Sequence, residues 1–282
     1  MTIEIAISID YERFIHTPAF RNATGTISRE FSTLNITDSI LSILASHDVC
    51  VTFFVVSEIA EEFPEYVKRI AVAGHEIASH TRTHRLLTEL DRSERLQELR
   101  DSKNTLRDVS GQDVTGFRAP AFDIPDSHFQ ELAEVGYGYE SSIVPCRAIP
   151  GWYGGKYRTD APTVASKLTT EPNSEFPVVP VSVAPWLRLP LSGAWTRLLG
   201  RQYLLFGIRW LNHRGITTVL YFHPWEFAEL PPVSGIPKRV YWRTGTWLQR
   251  TLDSVLTLAD DTVSVGELAT EVDTSPDGMS EQ

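Results

Sequence analysis

Hydrophobic and polar positions along the chain switch between two periods. Ile3, Ile5, Ile7 and Ile9 fall at period two, with Ala6, Ser8 and Asp10 on the other face. That pattern predicts a short strand ending in a carboxylate. Residues 49–56 form an unbroken β-branched and aromatic run, which suits a parallel strand buried on both faces. Between them, residues 36–44 read as a helix with a polar start. Residues 58–73 read as a second helix, kinked or restarted at Pro64 and closed by Gly74. Leu96, Leu99, Leu106 and Val109 line one face of a helix running from about Ser93 to Gly111. Residues 127–135 form a short helix stopped by Gly136. Residues 75–79, 115–118, 137–141, 176–183 and 217–223 read as strands, and 246–258 as the last long helix. Strand–helix alternation on this scale predicts an α/β fold with a parallel sheet, open or closed into a (β/α) barrel.

Residues 145–190 break the pattern, with eight prolines, and read as an elaboration over one mouth of the barrel. The expected organisation is one domain over 1–269 and a polar, acidic, frayed tail over 270–282. Residues 196–211 are apolar with Arg197, Arg201 and Arg209 interspersed. They read first as a buried helix, and second as one that rests on a membrane surface or shields a lipid-linked glycan.

Charge and cysteine content narrow the class. The 282 residues carry 26 Lys and Arg against 36 Asp and Glu, a net charge of −10, which argues against nucleic acid as the main partner. Two cysteines exclude a disulfide framework and a multi-cysteine zinc site. No apolar run is long enough to predict a transmembrane span. Without a visible secretory signal the expected compartment is the cytoplasm, with peripheral membrane association as the alternative.

Candidate chemistry gathers at strand ends. His80 and His84 follow the strand over 75–79, and a helical turn there would put both imidazoles on one face, able to reach one ion. A carboxylate from elsewhere would complete the set, and Asp10 and Glu12, two apart after the first strand, are the candidates. Arg118 ends one strand and is followed by the stiff Pro120. His223 ends another and is followed by Pro224-Trp225-Glu226. Such a constellation at the C-terminal ends of barrel strands is where barrel enzymes hold their chemistry.

With these residues in place the sequence resembles the NodB-homology polysaccharide deacetylases, carbohydrate esterase family 4. His80-Thr81 with His84, Arg118 with Pro120 and Phe122, and Leu220 with His223 match its second, third and fifth motifs. Four stretches bring it closest to the branch linked to extracellular polysaccharide biosynthesis: 139–142, 175–177, 189–193 and 223–226. The resemblance implies a distorted barrel of seven to eight parallel strands and a divalent ion, foremost zinc, held by Glu12, His80 and His84. It implies removal of acetyl groups from N-acetylated sugars, with Asp10 as base, His223 as acid, and Arg118 and Glu140 as their partners. A backbone N–H of the Glu140-Ser141 turn would help hold the oxyanion. Pro120, Phe122, Trp152 and Trp225 are the expected substrate contacts. Two motifs depart from the family: Asp10-Tyr11-Glu12 replaces adjacent aspartates, and Glu140 replaces an aspartate. The reverse assignment of Asp10 and Glu12 therefore stays open. So do hydrolysis of a cyclic amide or imide and a non-catalytic, glycan-binding role.

Overall fold

The computed structural model describes residues 2–21, 23–27, 33–149, 154–169 and 175–272. Its strands are β1 (Glu4–Tyr11), β2 (Thr52–Val55), β3 (Glu76–Ser79), β4 (Gly116–Phe117), β5 (Tyr139–Glu140), β6 (Thr163–Val164), β7 (Pro177–Val178), β8 (Thr218–Phe222) and β9 (Asp261–Val263). The helices are α1 (Pro18–Arg21), α2 (Thr37–Ser46), α3 (Ser57–Glu62), α4 (Pro64–Val72), α5 (Arg92–Ser110), α6 (His128–Val135), α7 (Gly193–Leu199), α8 (Arg201–His213), α9 (Thr246–Leu258) and α10 (Val265–Thr270). The sheet runs β6-β7-β5-β4-β3-β2-β1-β8, with β9 beside β1. Every pairing is parallel except β6 with β7. The sheet curls until the chain just after β7 meets β8, where Ser182 N–H donates to the Val219 carbonyl at 2.9 Å. The result is a distorted α/β barrel.

Strand β1 shows how the sequence builds this shape. Ile5, Ile7, Ile9 and Tyr11 pack into the main core beneath the helices, whereas Ala6 joins Phe54, Ala78, Tyr139, Val179 and Val219 in a separate inner cluster. Period two therefore sends Ser8 and Asp10 to the inner side of the curl. Helix ends follow local chemistry. Asp91 and Glu94 cap α5 reciprocally at 2.9 and 3.0 Å, and Gly111 ends it at φ 73°. The expected helix over 58–73 is two helices that break at Phe63, because Pro64 offers no N–H to continue the first. Likewise the apolar stretch 196–211 is split at Gly200 (φ 96°) into α7 and α8.

At the start of β3, His75 is buried against Phe53, ring centroids 5.4 Å apart, and its Nδ1 has no hydrogen-bond partner among the described residues. Burial pushes its pKa down to about 4, so the folded protein holds it neutral. The unfolded chain, titrating near ~6.5, takes up this proton first as pH falls. The contribution of His75 to stability is thus fully present above about pH 6.5, declines down to about pH 4, and changes no further below; its loss is about 3 kcal/mol. Urea titrations across this range are expected to show a slope to which His75 and the buried His80 both contribute, and His75→Leu is expected to make it shallower, not to abolish it.

Candidate active site

The inner ends of β1, β3, β4 and β8 converge. Glu12, His80 and His84 are all buried, and one ligand atom from each lies within 4.8 Å of the other two. Glu12 Oε2 is 2.5 Å from His84 Nε2. His80 Nδ1 donates to the Arg118 carbonyl at 2.7 Å, because a carbonyl only accepts, and this leaves its Nε2 as the free lone pair. Burial pushes His80 down to about 4, so it is neutral near pH 7, as a metal ligand must be. Burial would raise Glu12, but the neighbouring His84, then His223 and His80, outweigh it and hold the carboxyl well below the usual range. Two imidazoles and a carboxylate are the donor set of a catalytic zinc site with open positions, and the residues present fit such an ion.

No helix brings the two histidines together, contrary to expectation. Thr81 and His84 adopt left-handed conformations, φ 63° and 57°. Thr81 Oγ1 accepts from His84 N–H at 3.1 Å. From α5, Glu98 accepts the Arg82 and Thr83 N–H groups, each at 3.0 Å, and Thr83 Oγ1 at 2.7 Å. These bonds hold a strained turn that strand or helix periodicity does not signal. Arg21 Nη2 lies 3.1 Å from His84 Nδ1 and 2.6 Å from its carbonyl oxygen, and His16 stacks on His84 at 5.5 Å.

Asp10 lies beside this triad, not within it. Its Oδ1 is 2.6 Å from Arg118 Nη1. Arg118 is fully buried, donates to Ser8 Oγ, the Ser141 carbonyl and Ser141 Oγ at 2.8, 2.9 and 2.8 Å, and lies 4.1 Å over the Phe54 ring. An arginine so fully satisfied has one geometry, and so has the carboxylate oxygen it holds.

His223 stands opposite, its Nε2 4.0 Å from Glu12 Oε1. Glu226 Oε2 accepts from both Nδ1 and the backbone N–H of His223, at 3.1 and 3.0 Å. Glu226 Oε1 in turn accepts from Arg197 Nε at 2.9 Å, and Arg197 is anchored on the Val240 and Trp242 carbonyls. Burial opposes the imidazolium, but the Glu226 hydrogen bond and charge, then Glu12 and Asp10, raise His223 to about 9. It is protonated near neutrality.

Three expectations are corrected here. Glu140 does not reach His223: it is fully buried beside His128 (3.6 Å), and its Oε2 accepts from Ser142 N–H at 2.5 Å. Strand β5 points it away from the ion cluster, and Glu226, absent from the expected site, takes the place at the imidazole. The Glu140-Ser141 turn supplies no oxyanion donor from Ser141 either, since Ser141 N–H is spent on the Phe117 carbonyl. Trp225 is no open sugar platform. It is 7% exposed, its indole N–H donates to Glu12 Oε1 at 3.2 Å, and its ring stacks on His223 at 5.3 Å. A buried indole N–H needs an acceptor, and Glu12 is it. Pro120 is buried in the turn that gives Ala121 and Phe122 positive φ, and Phe122 lies partly exposed against Tyr221 at 5.0 Å. Trp152 lies outside the described residues.

Comparison with known proteins places most of these residues within matched segments. The model of the polysaccharide deacetylase family matches residues 30–139, which include His80, His84 and Arg118. Over that segment the chain is similar to the polysaccharide deacetylases. A domain of unknown function, DUF3473, matches 141–265 and includes His223 and Glu226, so the one sheet draws strands from both matched segments. Asp10 and Glu12 precede both. A peptidoglycan-N-acetylglucosamine deacetylase of Bacillus cereus is 33% identical over 104 residues, 37% of this chain and 38% of the relative. A chitooligosaccharide deacetylase of Sinorhizobium fredii is 33% identical over 85 residues, 30% of this chain and 40% of the relative. The chain thus spans about two fifths of the curated relatives it matches. In fold, the chain superposes on a Mycobacterium smegmatis protein bearing the polysaccharide deacetylase name. The TM-score is 0.69 at 23% identity, covering 100% of this chain and 95% of the other. Puue allantoinase superposes with TM-score 0.62 at 15% identity, covering 95% and 89%. The fold is shared by both.

Proposed function

We propose that the protein is a zinc-dependent hydrolase that removes acetyl groups from the N-acetylated sugars of a glycan. The observation that carries this reading is the buried Glu12–His80–His84 cluster flanked by two differently held titratable groups, Asp10 on Arg118 and His223 on Glu226. An amide needs an activated water and a protonated leaving amine, and this layout offers a group for each. A zinc ion held by Glu12, His80 and His84 would supply Lewis acidity to the carbonyl and the attacking water. Asp10, oriented through Oδ1, takes the proton from that water. His223 is charged near neutrality with its Nδ1–H committed to Glu226, so Nε2 gives its proton to the departing nitrogen. Arg118 fixes the base and Glu226 fixes the acid, and neither exchanges a proton itself.

For the substrate, we favour a polysaccharide or its precursor, in keeping with the branch resemblance. Two of the four stretches that carry it, 189–193 and 223–226, meet at the acid. A β-carbon on Gly193 would lie within 2.7 Å of the Glu226 carboxylate, so Gly193 leaves the room that Glu226 occupies. The test is acetate release from N-acetylglucosamine oligomers, with elemental analysis of the same preparation. Zinc near one equivalent and acetate released in proportion to enzyme are the expected results. Zinc without acetate across oligomers of several lengths would overturn the deacetylase reading in favour of a glycan-binding protein.

A further inference from the structure

Eight large hydrophobic side chains are exposed among the described residues, and six of them fall between positions 186 and 242: Trp186, Leu187, Leu198, Leu199, Phe206 and Trp242. Helix α8 organises part of this surface. Its outward positions are Gln202, Phe206, Arg209 and His213, spaced four, three and four, with Trp210 half-buried beside them. From the hairpin turn between Val183 and Pro190, Trp186 stacks on Phe206 at 5.6 Å and meets Trp210 at a tilt, centroids 4.5 Å apart, while 69% of it stays exposed. Three rings thus form a fixed apolar platform that faces water.

Charge around the platform runs against the rest of the molecule. Residues 176–225 contain no Asp or Glu and five arginines, in a chain of net charge −10. Arg201, Arg209 and Arg214 of this stretch make no ion pair among the described residues. At the start of α8, a hollow of about 400 Å³ has Leu199, Arg201, Trp247 and Arg250 among its walls. Aromatic and leucine side chains with arginines between them, and no acids, are the chemistry of the headgroup boundary of a bilayer. The same chemistry disfavours a second copy, since a self-complementary contact would set these arginines against themselves.

We propose that this face docks on a membrane surface carrying anionic phospholipids. Trp186, Leu187 and Phe206 enter the headgroup boundary, and Arg201 and Arg209 meet lipid phosphates. The proposal stands apart from the deacetylase reading, because none of these residues belongs to the ion cluster or its flanking pairs.

The test is co-sedimentation of the full chain with vesicles of phosphatidylcholine, alone or mixed with phosphatidylglycerol, at about 0.1 M salt. Binding to the mixed vesicles is expected to be at least ~10-fold tighter and to weaken as salt rises. Trp186→Ser with Phe206→Ser, and separately Arg209→Glu, are each expected to weaken it about tenfold with unchanged circular dichroism. Arg209 is exposed, so Arg209→Glu keeps the test valid should the double variant fold poorly. Absence of wild-type binding to the anionic vesicles would overturn the proposal, as would undiminished binding by Arg209→Glu. A dimer in light scattering that Trp186→Ser/Phe206→Ser dissolves would also overturn it and assign the face to a second copy.

Discussion

Protein carrying His80→Ala and His84→Ala is expected to purify with under ~0.1 equivalent of zinc where the wild type holds about one, and to lose ~10⁴-fold or more in acetate release. Each imidazole is buried, and Glu12 alone offers too few donors to retain an ion against solvent. The fold should survive, since neither side chain belongs to the apolar core clusters. Asp10→Asn separates the two halves of the site. It leaves the three ligands intact, so zinc content is expected to stay near one equivalent while kcat falls ~10²–10⁴-fold through loss of the base. Elemental analysis beside steady-state kinetics reads both. Loss of zinc from Asp10→Asn would make Asp10 the ligand and reverse the roles of the two acids.

That reversal was open in the sequence because spacing alone cannot separate two acids that share a strand end. The structure distinguishes them by their neighbours. Period two placed Asp10 on the inner side of the curl, but only tertiary structure shows that Arg118, 108 positions away, reaches its carboxylate. Elements were legible wherever a local rule acts alone: 246–258 coincides with α9, and Gly111 and Gly136 end their helices with positive φ as expected. Where tertiary packing decides, the pattern was silent. The left-handed turn that joins His80 to His84 depends on Glu98 from α5, and a carboxylate at that distance leaves no local trace. Glu226 was visible as part of His-Pro-Trp-Glu but unread, because an acid three residues after a histidine is common. Its role follows from Arg197 and Gly193, which belong to α7 and close around it.

This arrangement also makes the acid the most exposed point of the mechanism to remote change. His223→Ala removes the proton donor and is expected to lower kcat ~10²–10⁴-fold. Glu226→Gln keeps the imidazole but takes away the anion that orients it and favours its charge. A drop in kcat of ~10²-fold with little change in KM is the expected result, since binding of the sugar does not use Glu226. The alkaline limb of the pH–rate profile should move to lower pH, because the carboxylate is what raises His223 to about 9 against burial. Gly193→Ala reaches the same end without touching a titratable group. Its β-carbon would lie 2.6 Å from Glu226 Cδ, too close for any real contact, so the carboxylate must leave its place under His223. Since both changes break one device, the double variant is expected to be no slower than the slower single one. Additive losses would mean that Gly193 and Glu226 act independently, and that the carboxylate is not what carries the acid.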